Sequence, residues 1–449
     1  MTISPIEERY GRREIKAIFE EQNRLNMMVK VESAIMKAQM HLGLIPDVNF
    51  ESIDAISKTN VNLKRMKEIE VETQHDLMAF IRTVDEQTNG QYTYLHYGVT
   101  SNDIIDTATA LQLKSFSVFL DQDLKNLCET IIKLIKKYDN TPMLGRTHGQ
   151  HASPITFGLK LSTYLMEFTR HFERFQEAKK RFLVGKALGP VGTGASMGAK
   201  GLELSREAMN ILGLTSETAT NQLVSRDRYV ELLSVLSMMA VTVDKIGTEI
   251  RNLQRPEIGE VMEFFDRSKQ VGSSSMPSKR NPIKSENVCS ISRIIRSMVT
   301  PEMEAAITWH ERDLTNSALE RFTIPYSCIL TDYILFQLNR ILDNLWVDEK
   351  RMLENLKDSP LCISEALTTA LTQKNVGRQE AHEIIRNISM DFYEKKVPLI
   401  TILKNSPMGT FYSEKEIEAM VAPENFLGSS LTICQAAIRE CEDILKRLM

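Results

Sequence analysis

Cysteine is scarce and scattered in this chain. The 449 residues hold six cysteines, and no two of them show the C-x-x-C spacing of a metal ribbon. A zinc ribbon and a disulfide framework are therefore both unexpected, and reduced thiols in the cytoplasm are the default. The first residues, MTISPIEERYGRRE, are polar and charged, so no signal peptide is visible. We expect a cytoplasmic location.

Long hydrophobic runs are missing as well. The most apolar stretch, residues 232–243, is interrupted by serine and threonine, is bounded by Glu231 and Asp244, and is too short to span a bilayer. The net charge of −4 gives no hint of nucleic acid as a partner. Aromatic residues make up only 7% of the chain while methionine is abundant at 22 residues, which favours helical packing over a β-sandwich. We expect neither a membrane nor a nucleic acid as partner.

Two long segments of the chain contain no proline, which allows each of them to form very long helices. None occurs between Pro46 and Pro142, or between Pro190 and Pro256. Residues 101–141 also lack glycine, and their apolar side chains recur at spacings of three to five. The pattern predicts five long helices. The first covers 101–141, with Thr100 or Ser101 as its cap and Asp103 in its first turn, and the second covers 154–184, with Ser153 as its cap. The third covers 227–253, the fourth begins at Pro282 and is bent or ended by Pro301, and the fifth follows Pro325.

Sustained period-two alternation is not found, so little β-structure is expected. The length suggests two or three domains. We predict an all-α fold with a small N-terminal helical domain (1–100), a central bundle of very long helices (101–350) and a C-terminal helical domain (351–449). The helix 227–253 is apolar nearly all round, so it should be buried in a bundle core. Packing between several subunits would explain this, and a core within one chain is the alternative.

Residues 272–287, GSSSMPSKRNPIKSEN, join a flexible hydroxyl-bearing loop to a charged helix start. Asn281 is a favoured N-cap and Pro282 a favoured first helical residue. Lys279, Arg280 and Lys284 add three positive charges to the partial positive charge of a helix N-terminus. The stretch predicts an anion-binding helix start, and an ordinary solvated Ser/Lys loop is the alternative.

Residues 145–154, GRTHGQHASP, place His148 and His151 close together. Histidine titrates near neutral pH, so either side chain could act as a general acid or base. A histidine pair can also form half of a metal site, but no nearby Asp, Glu or Cys completes a ligand set, and we expect no metal. An isolated structural histidine is the remaining alternative.

Residues 309–325, WHERDLTNSALERFTIP, carry two arginines and a serine suited to phosphate. Ser317 and Arg321 are four positions apart and would share a helix face. Arg312 lies nine residues before Arg321, so a chain break near 314–316 is needed to bring both arginines to one anion. A solvated helix face is the alternative. We further expect three predicted helix starts, at 97–103, 145–154 and 272–286, to converge on one site.

Four of these stretches resemble one family of enzymes. GSSSMPSKRNP (272–282) resembles the signature loop of the fumarase/aspartase superfamily of lyases. GRTHGQH (145–151), WHERDLTNSALER (309–321) and SPIEERY (4–10) resemble segments of the adenylosuccinate lyase branch of that superfamily. The chain is identified as a member of this superfamily, and the resemblance implies its all-α, three-domain, long-helix fold.

The resemblance also implies a reaction and an assembly. The reaction is β-elimination of fumarate with cleavage of a C–N bond, from adenylosuccinate to AMP and from succinylated aminoimidazole carboxamide ribotide (SAICAR) to the amide ribotide AICAR. It needs no metal and no organic cofactor. The implied assembly is a homotetramer in which three subunits build each active site.

The residue roles follow from the same resemblance. Ser273 is the base, His148 is the acid, Glu286 orients His148, and Lys279 also belongs to the catalytic set. The substrate-binding positions that the resemblance implies are Arg9, Tyr10, His75, Asp76, His96, Thr100, Ser101, Thr147, Gln222, Asn281, Arg312, Ser317 and Arg321. Chemistry alone would make a histidine the base, because a serine hydroxyl is a very weak acid, although Lys279 and the helix start at Asn281 favour the alkoxide.

Two other functions stay open at this point. The chain could be another lyase or a cycloisomerase of the superfamily that acts on a compound other than a nucleotide. It could also be a non-catalytic helical scaffold. The implied phosphate-binding set argues against the first; its members are Arg9, Arg312, Ser317 and Arg321. The second is opposed by the presence of the four implied catalytic residues, Ser273, His148, Lys279 and Glu286.

Overall fold

The computed structural model of the chain describes residues 4–265, 275–276 and 278–448. Within these residues the helices are α1 (Pro5–Glu8), α2 (Arg13–Phe19), α3 (Glu21–His41), α4 (Glu51–Thr59), α5 (Leu63–Thr73), α6 (Asp76–Gln87), α7 (Ser101–Tyr138), α8 (Phe157–Phe182), α9 (Gly201–Leu212), α10 (Asp227–Leu253), α11 (Ile283–Ser297), α12 (Val299–Ala305), α13 (Thr315–Asp343), α14 (Glu349–Lys357), α15 (Ser364–Gln373), α16 (Arg378–Lys395), α17 (Leu399–Lys404), α18 (Met408–Phe411), α19 (Glu414–Met420) and α20 (Ser430–Leu448).

The strands are few and short. They are β1 (Pro142–Thr147), β2 (Gln150–Thr156), β3 (Val184–Gly185), β4 (Thr215–Ser216), β5 (Val261–Met262) and β6 (Trp346–Val347). They form two-stranded pairs: β1 with β2 and β5 with β6 are antiparallel, while β3 with β4 is parallel. The prediction of an all-α fold is therefore confirmed.

The chain divides into two compact units. The first comprises residues 1–125, 171–244 and 290–336, and the second comprises residues 126–170, 245–289 and 337–449. The core of the first unit gathers buried side chains such as Leu25, Phe80 and Ile104. The core of the second gathers Leu144, Leu367 and Leu403, among others. The division into three helical domains at residues 100 and 350 stays a prediction.

Two long helices lie where the missing prolines put them. Helix α10 has the predicted bounds, and α7 begins at Ser101 and ends three residues before the predicted limit. Helix α10 is not buried all round, however, because Met238 and Val241 are 38% and 50% exposed in the single chain. The six cysteines all lie in the described residues, are buried and form no disulfide there. Among the helices of the described residues, none is long and apolar enough to cross a membrane.

Proline misled the prediction of two helix starts. The helix predicted from Pro154 begins at Phe157, because Pro154 lies in β2 opposite Leu144. The backbone N–H of Leu159 donates to the hydroxyl of Thr156 at 3.1 Å, so Thr156, not Ser153, caps this helix. The helix predicted to follow Pro325 begins ten residues earlier, and Pro325 lies inside α13. Burial of Ile324, Cys328 and their neighbours favours the continuous helix despite the hydrogen bond that proline cannot donate.

The prediction for Pro282 and Pro301 is close to the structure. Helix α11 begins one residue after Pro282 and ends at Ser297. Pro301 is the third residue of the next helix, α12, where the missing N–H has no partner within the helix in any case.

A buried cluster of two carboxylates and one guanidinium lies in the first unit. The Nε of Arg12 donates to Asp332 at 2.9 Å, and the Nη2 of the same guanidinium donates to both Asp332 and Asp123. Burial raises the pKa of Asp123, the hydrogen bond and charge of Asp332 raise it further, and Arg12 opposes the shift, so that this pKa is about 8. Asp123 therefore keeps its proton at neutral pH.

We expect Asp123 to lower the stability of the chain as the pH rises from 6 to 9. Its folded-state pKa of about 8 lies above the ordinary value of 3.8, so its stabilising contribution is complete below the ordinary value and is lost as the pH rises through 8. The Asp123→Asn variant keeps a neutral side chain at every pH. Its Tm relative to the parent chain should be higher by about 1 to 3 °C at pH 9 than at pH 6, measured by scanning calorimetry.

The matched control is Asp121→Asn, which removes a partly exposed carboxylate that accepts from Lys179 at 2.6 Å. This control should change Tm by similar amounts at the two pH values. An Asp123→Asn variant whose Tm difference from the parent is equal at both pH values would contradict the raised pKa of Asp123.

Candidate active site

The first unit contains a cavity of about 560 Å³. Its wall is formed where α6, α7, α10 and α13 begin, together with the loop before α13. Six of the residues predicted to bind substrate line it: His75, Asp76, Ser101, Arg312, Ser317 and Arg321. Because these residues come from three separate stretches of sequence, the fold assembles a polar site that no one stretch contains.

The chain break required between the two arginines is present. Helix α13 begins at Thr315, so Arg312 lies in the preceding loop while Ser317 and Arg321 lie on the helix. All three side chains line the same cavity. The prediction that residues 312–321 can present two arginines and a hydroxyl to one anion therefore has the geometry that it needs.

Arg312 differs from the other arginines of the cavity. Arg24 pairs with Glu21 at 2.8 Å, and Arg321 lies 3.5 Å from Asp76. Arg312 instead donates to the side-chain oxygen of Gln222 at 3.0 Å. No carboxylate in the described part of the chain forms an ion pair with it, its Nε has no hydrogen-bond partner there, and burial lowers its pKa. A half-buried guanidinium with an unused Nε donor is suited to an anionic ligand.

His75 and Asp76 begin helix α6. The Nδ1 of His75 accepts the backbone N–H of Met78 at 3.3 Å, so the histidine caps the helix. One oxygen of Asp76 accepts the backbone N–H of Leu77 at 2.7 Å, and the other faces Arg321. The cap thus helps to hold the ring of His75 in the wall of the cavity.

Asp103 holds the start of helix α7 in place. Its carboxylate accepts the backbone N–H groups of Thr100, Leu188 and Gly189 at 2.9 to 3.1 Å. It also accepts from the ammonium of Lys186 at 2.5 Å, and both charged side chains are fully buried. Asp103 thus fixes the backbone at Thr100, immediately before the cavity residue Ser101.

Several predicted substrate residues of the first unit do not line the cavity in the described chain. Tyr10 packs edge-on against Tyr333 with ring centroids 5.5 Å apart. The Nδ1 of His96 lies 2.8 Å from Glu32, and although burial opposes protonation, the hydrogen bond and charge of Glu32 raise the pKa of this histidine. The residues that are absent from the cavity lining are Arg9, Tyr10, His96, Thr100 and Gln222, the last of which reaches it through Arg312.

In the second unit, residues 145–154 were predicted to be a helix start. That prediction is wrong, because they form the turn and strands of a β-hairpin. Thr147 ends β1, and His148 and Gly149 form the two-residue turn with φ of 52° and 73°. Two positive φ values are typical of the type I′ turns that join antiparallel strands, and glycine at the second position was a usable signal for it. The side chain of His148 is exposed at the tip.

Buried polar contacts anchor this hairpin. The guanidinium of Arg146 donates twice to Glu260, at 2.9 and 2.7 Å, and the fully buried Glu260 also accepts from Asn355 at 2.8 Å. The Nδ1 of His151 lies 2.7 Å from the hydroxyl of Ser359. Arg146 and His151 therefore hold the strands, and His148 alone of the two histidines is left at the tip.

The sequence predicted that the start of helix α11 would bind an anion through its N–H groups. In the structure an acidic side chain of the same chain accepts two of these groups. The carboxylate of Glu263 accepts the backbone N–H of Lys284 at 3.2 Å and also that of Ser285. An acidic side chain of the chain itself therefore occupies the helix N-terminus, which the helix dipole favours. Lys279, which precedes α11, and Glu286, which lies in its first turn, are both exposed to solvent. Among the described residues of the chain no hydrogen bond joins Glu286 to His148. Ser273 lies outside the described residues.

Comparison with known proteins identifies the class. A family model described as "Lyase" matches residues 9–296. The chain is similar in structure to a fumarate lyase from Mesorhizobium sp. BNC1 (TM-score 0.87, 28% identity, 96% of this chain and 98% of that one). It is likewise similar to the 3-carboxy-cis,cis-muconate lactonizing enzyme from Pseudomonas putida (TM-score 0.88, 28% identity, 98% and 99% coverage). The fold is that of a lyase of the fumarase/aspartase superfamily.

Further matches narrow the family. Residues 360–437 match the model described as "Adenylosuccinate lyase C-terminus". An adenylosuccinate lyase from Pyrococcus horikoshii is 42% identical over 100% of both chains. Another from Methanocaldococcus jannaschii is 41% identical over 98% of this chain and 96% of that one. The chain belongs to the adenylosuccinate lyase family, and it is an enzyme of the lyase class.

We expect Arg146→Met to destabilise the second unit, because it leaves the carboxylate of Glu260 buried without a cation. Removing one partner of a buried pair costs about 3 to 5 kcal/mol. Urea unfolding followed by circular dichroism measures the change. Hydrogen exchange should accelerate in peptides covering residues 142–156, where the hairpin lies.

Arg181→Met is the control, since Arg181 forms an ion pair with Glu231 in which both side chains are partly exposed. Such surface pairs contribute about 0 to 1 kcal/mol. Equal losses of stability in the two variants would show that the contact between Arg146 and Glu260 does not anchor the hairpin.

Proposed function

We propose that the chain catalyses β-elimination of fumarate from adenylosuccinate, giving AMP, and from SAICAR, giving AICAR. The observation that carries this proposal is the cavity in which Arg312, Ser317 and Arg321 meet His75, Asp76 and Ser101. Two arginines and a hydroxyl form a site for the phosphate that the two substrates share. The name of the relatives, adenylosuccinate lyase, supports the first of these substrates.

Arg312 is the side chain that most favours a phosphate ligand. It is half-buried and has neither an ion-pair carboxylate nor a partner for its Nε among the described residues. Arg321 lies one turn beyond Ser317 on α13, and its contact with Asp76 is long at 3.5 Å. An incoming phosphate would satisfy Arg312 outright and compete with Asp76 for Arg321. Arg9 and Tyr10 belong to the same proposed phosphate set.

The proposed chemistry moves one proton off carbon and one onto nitrogen. Ser273, as alkoxide, takes the proton from the carbon beside the succinyl carboxylate. The electron pair left on that carbon forms the double bond of fumarate, and the C–N bond breaks with its pair going to nitrogen. His148 then donates a proton to the departing nitrogen. Exposure of His148 at a rigid hairpin tip suits a group that must reach into a ligand.

The remaining proposed residues support these two steps. Glu286 orients His148 and raises its basicity, and Lys279 favours the alkoxide of Ser273. Thr100, Ser101 and Asn281 hold the succinyl oxygens. His75, Asp76, His96, Thr147 and Gln222 complete the proposed contacts with the nucleotide. No metal or organic cofactor takes part.

We further propose a homotetramer in the cytoplasm, with each active site built from three subunits. Two observations favour an assembly of several chains. Helix α10 exposes Met238 and Val241 in the single chain, an apolar surface that a second copy could cover. No hydrogen bond joins Glu286 and His148 within the described residues of one chain, and the proposed assembly lets His148 meet Glu286 of another chain.

The test of the proposed function is incubation of the purified chain with adenylosuccinate while fumarate and AMP are measured. The parent chain should release both in equal amounts. The Arg321→Ala variant should lose about 100-fold in kcat/KM, mostly through KM, because it removes a charged contact with the phosphate. The control is Arg181→Ala, whose side chain does not line the described cavity and whose kinetics should not change. A parent chain that releases no fumarate, or an Arg321→Ala variant with parent kinetics, would overturn the assignment.

The shared-site proposal has its own test. Ser273→Ala and His148→Gln should each be nearly inactive and still bind AMP. When equal amounts are denatured together and refolded, about a quarter of the sites in random hybrids hold both intact residues, if the two come from different subunits. Activity should therefore return in the mixture and not in either variant refolded alone. Hybrids verified by mass spectrometry that stay inactive would exclude the shared site.

A further inference from the structure

A buried arginine that the proposed mechanism does not use lies in the wall of the cavity. Arg226 precedes α10, is 5% exposed, and contacts two carboxylates. It donates to Asp106 at 2.7 and 3.0 Å, to Glu320 at 2.8 and 3.0 Å, and to the backbone carbonyl of Val224 at 2.8 Å. These contacts use all five N–H donors of the guanidinium, so its position is fully determined.

The two carboxylates belong to the helices that present the proposed substrate residues. Asp106 is on α7, which begins at Ser101, and Glu320 is on α13, between Ser317 and Arg321. One guanidinium therefore joins the starts of α7, α10 and α13. A planar group with bidentate contacts on two sides fixes the distance and the angle between its partners, which a single ammonium could not do.

Two asparagines extend this junction to the residues beside the serines. The amide of Asn102, next to Ser101, donates to Asp106 at 3.1 Å. The amide of Asn316, next to Ser317, donates to Glu320 at 3.0 Å. Both asparagines are buried, and each lies four residues before its carboxylate. The same arrangement on both helices connects Arg226 to the two serines through short, fixed contacts.

The charge of the junction bears on phosphate binding. Two carboxylates and one guanidinium leave one excess negative charge near Arg312, whose own interactions include Asp106 and Glu320. The charges of Asp106 and Glu320 favour the protonated guanidinium of Arg312, whose pKa is lowered by burial and by the charge of Arg226. A displaced Glu320 would move both this charge and the helix that carries Ser317 and Arg321.

We propose that Arg226, with Asp106 and Glu320, is the positioning group that sets the phosphate-binding segment of α13 against the Ser101 segment of α7. The inference rests on the proposed function, which assigns the substrate phosphate to α13 and the succinyl group to Ser101. Arg226 uses its donors on Asp106, Glu320 and Val224, so it acts on the substrate only through the two carboxylates and their asparagines.

The two halves of the junction should give different kinetic effects. Glu320→Gln loosens the α13 side, so KM for adenylosuccinate and the dissociation constants of AMP and inorganic phosphate should each rise about 10-fold, with kcat within about twofold. Asp106→Asn loosens the α7 side, so kcat should fall about 10-fold and fumarate should inhibit more weakly, with AMP affinity kept. Arg226→Lys, which cannot hold both carboxylates bidentately, should show both effects.

The matched control is Arg228→Lys, two residues further along. Arg228 pairs with the buried Glu217 at 2.7 Å and does not line the described cavity. It should lower Tm without changing KM, kcat or AMP affinity. If Asp106→Asn does not fold, Asn102→Ala removes the contact to the Ser101 segment while leaving the ion pair, and should lower kcat by about threefold.

Three results decide between the possibilities. Variants of Arg226, Asp106 and Glu320 that lower Tm but keep the kinetic and binding constants, as Arg228→Lys should, would reduce the junction to a stabilising contact and overturn the inference. A single effect common to both halves would also overturn it. A parent chain without activity on adenylosuccinate would overturn the proposed function instead, and calorimetric binding of AMP and inorganic phosphate would still test the junction.

Discussion

Charge buried among helices is the constraint on which the first unit depends. Lys186 and Asp103 are fully buried and meet at 2.5 Å, and Arg226 is surrounded by acceptors. Isolated charges in an apolar interior are very unfavourable, so each must find its partner in the folded state. Because the partners lie on different elements, only one arrangement of helix starts satisfies them. Hydrophobic burial alone would tolerate small rotations of one helix against another, and the paired charges do not.

The long helices could be predicted from the sequence because a long helix tolerates few prolines. The gap between Pro190 and Pro256 located α10 with its observed bounds. Individual prolines were poorer guides. Proline suits the first turn of a helix, an edge strand and, when packing is strong, a helix interior. Pro154 and Pro325 occupy the second and third of these environments, and nothing local in their sequences distinguishes them from the first.

The candidate site divides in the same way. Arg312, Ser317 and Arg321 lie within ten residues, so their spacing already indicated a common ligand and even the break in the helix. Asp106, Arg226 and Glu320 lie about a hundred residues apart, and each alone is an ordinary charged residue in or beside a helix. The sequence led us to expect the helix starts near residues 97, 145 and 272 to converge. That convergence stays a prediction. Among the described residues the starts of α7, α10 and α13 meet, and only tertiary structure reveals that set. The carboxylate of Glu263 at the start of α11 was hidden for the same reason.

The turn of the β1–β2 hairpin carries a conflict between conformation and chemistry. With φ of 52°, His148 adopts a backbone conformation that asparagine or glycine would adopt more readily. A side chain placed there for its ring is held in a turn that it does not favour, and the double contact between Arg146 and Glu260 keeps that turn closed. A chain optimised for folding alone would place another residue at this tip. The hairpin thus gives up some local stability to present an imidazole, and the polar anchors at its base offset the loss.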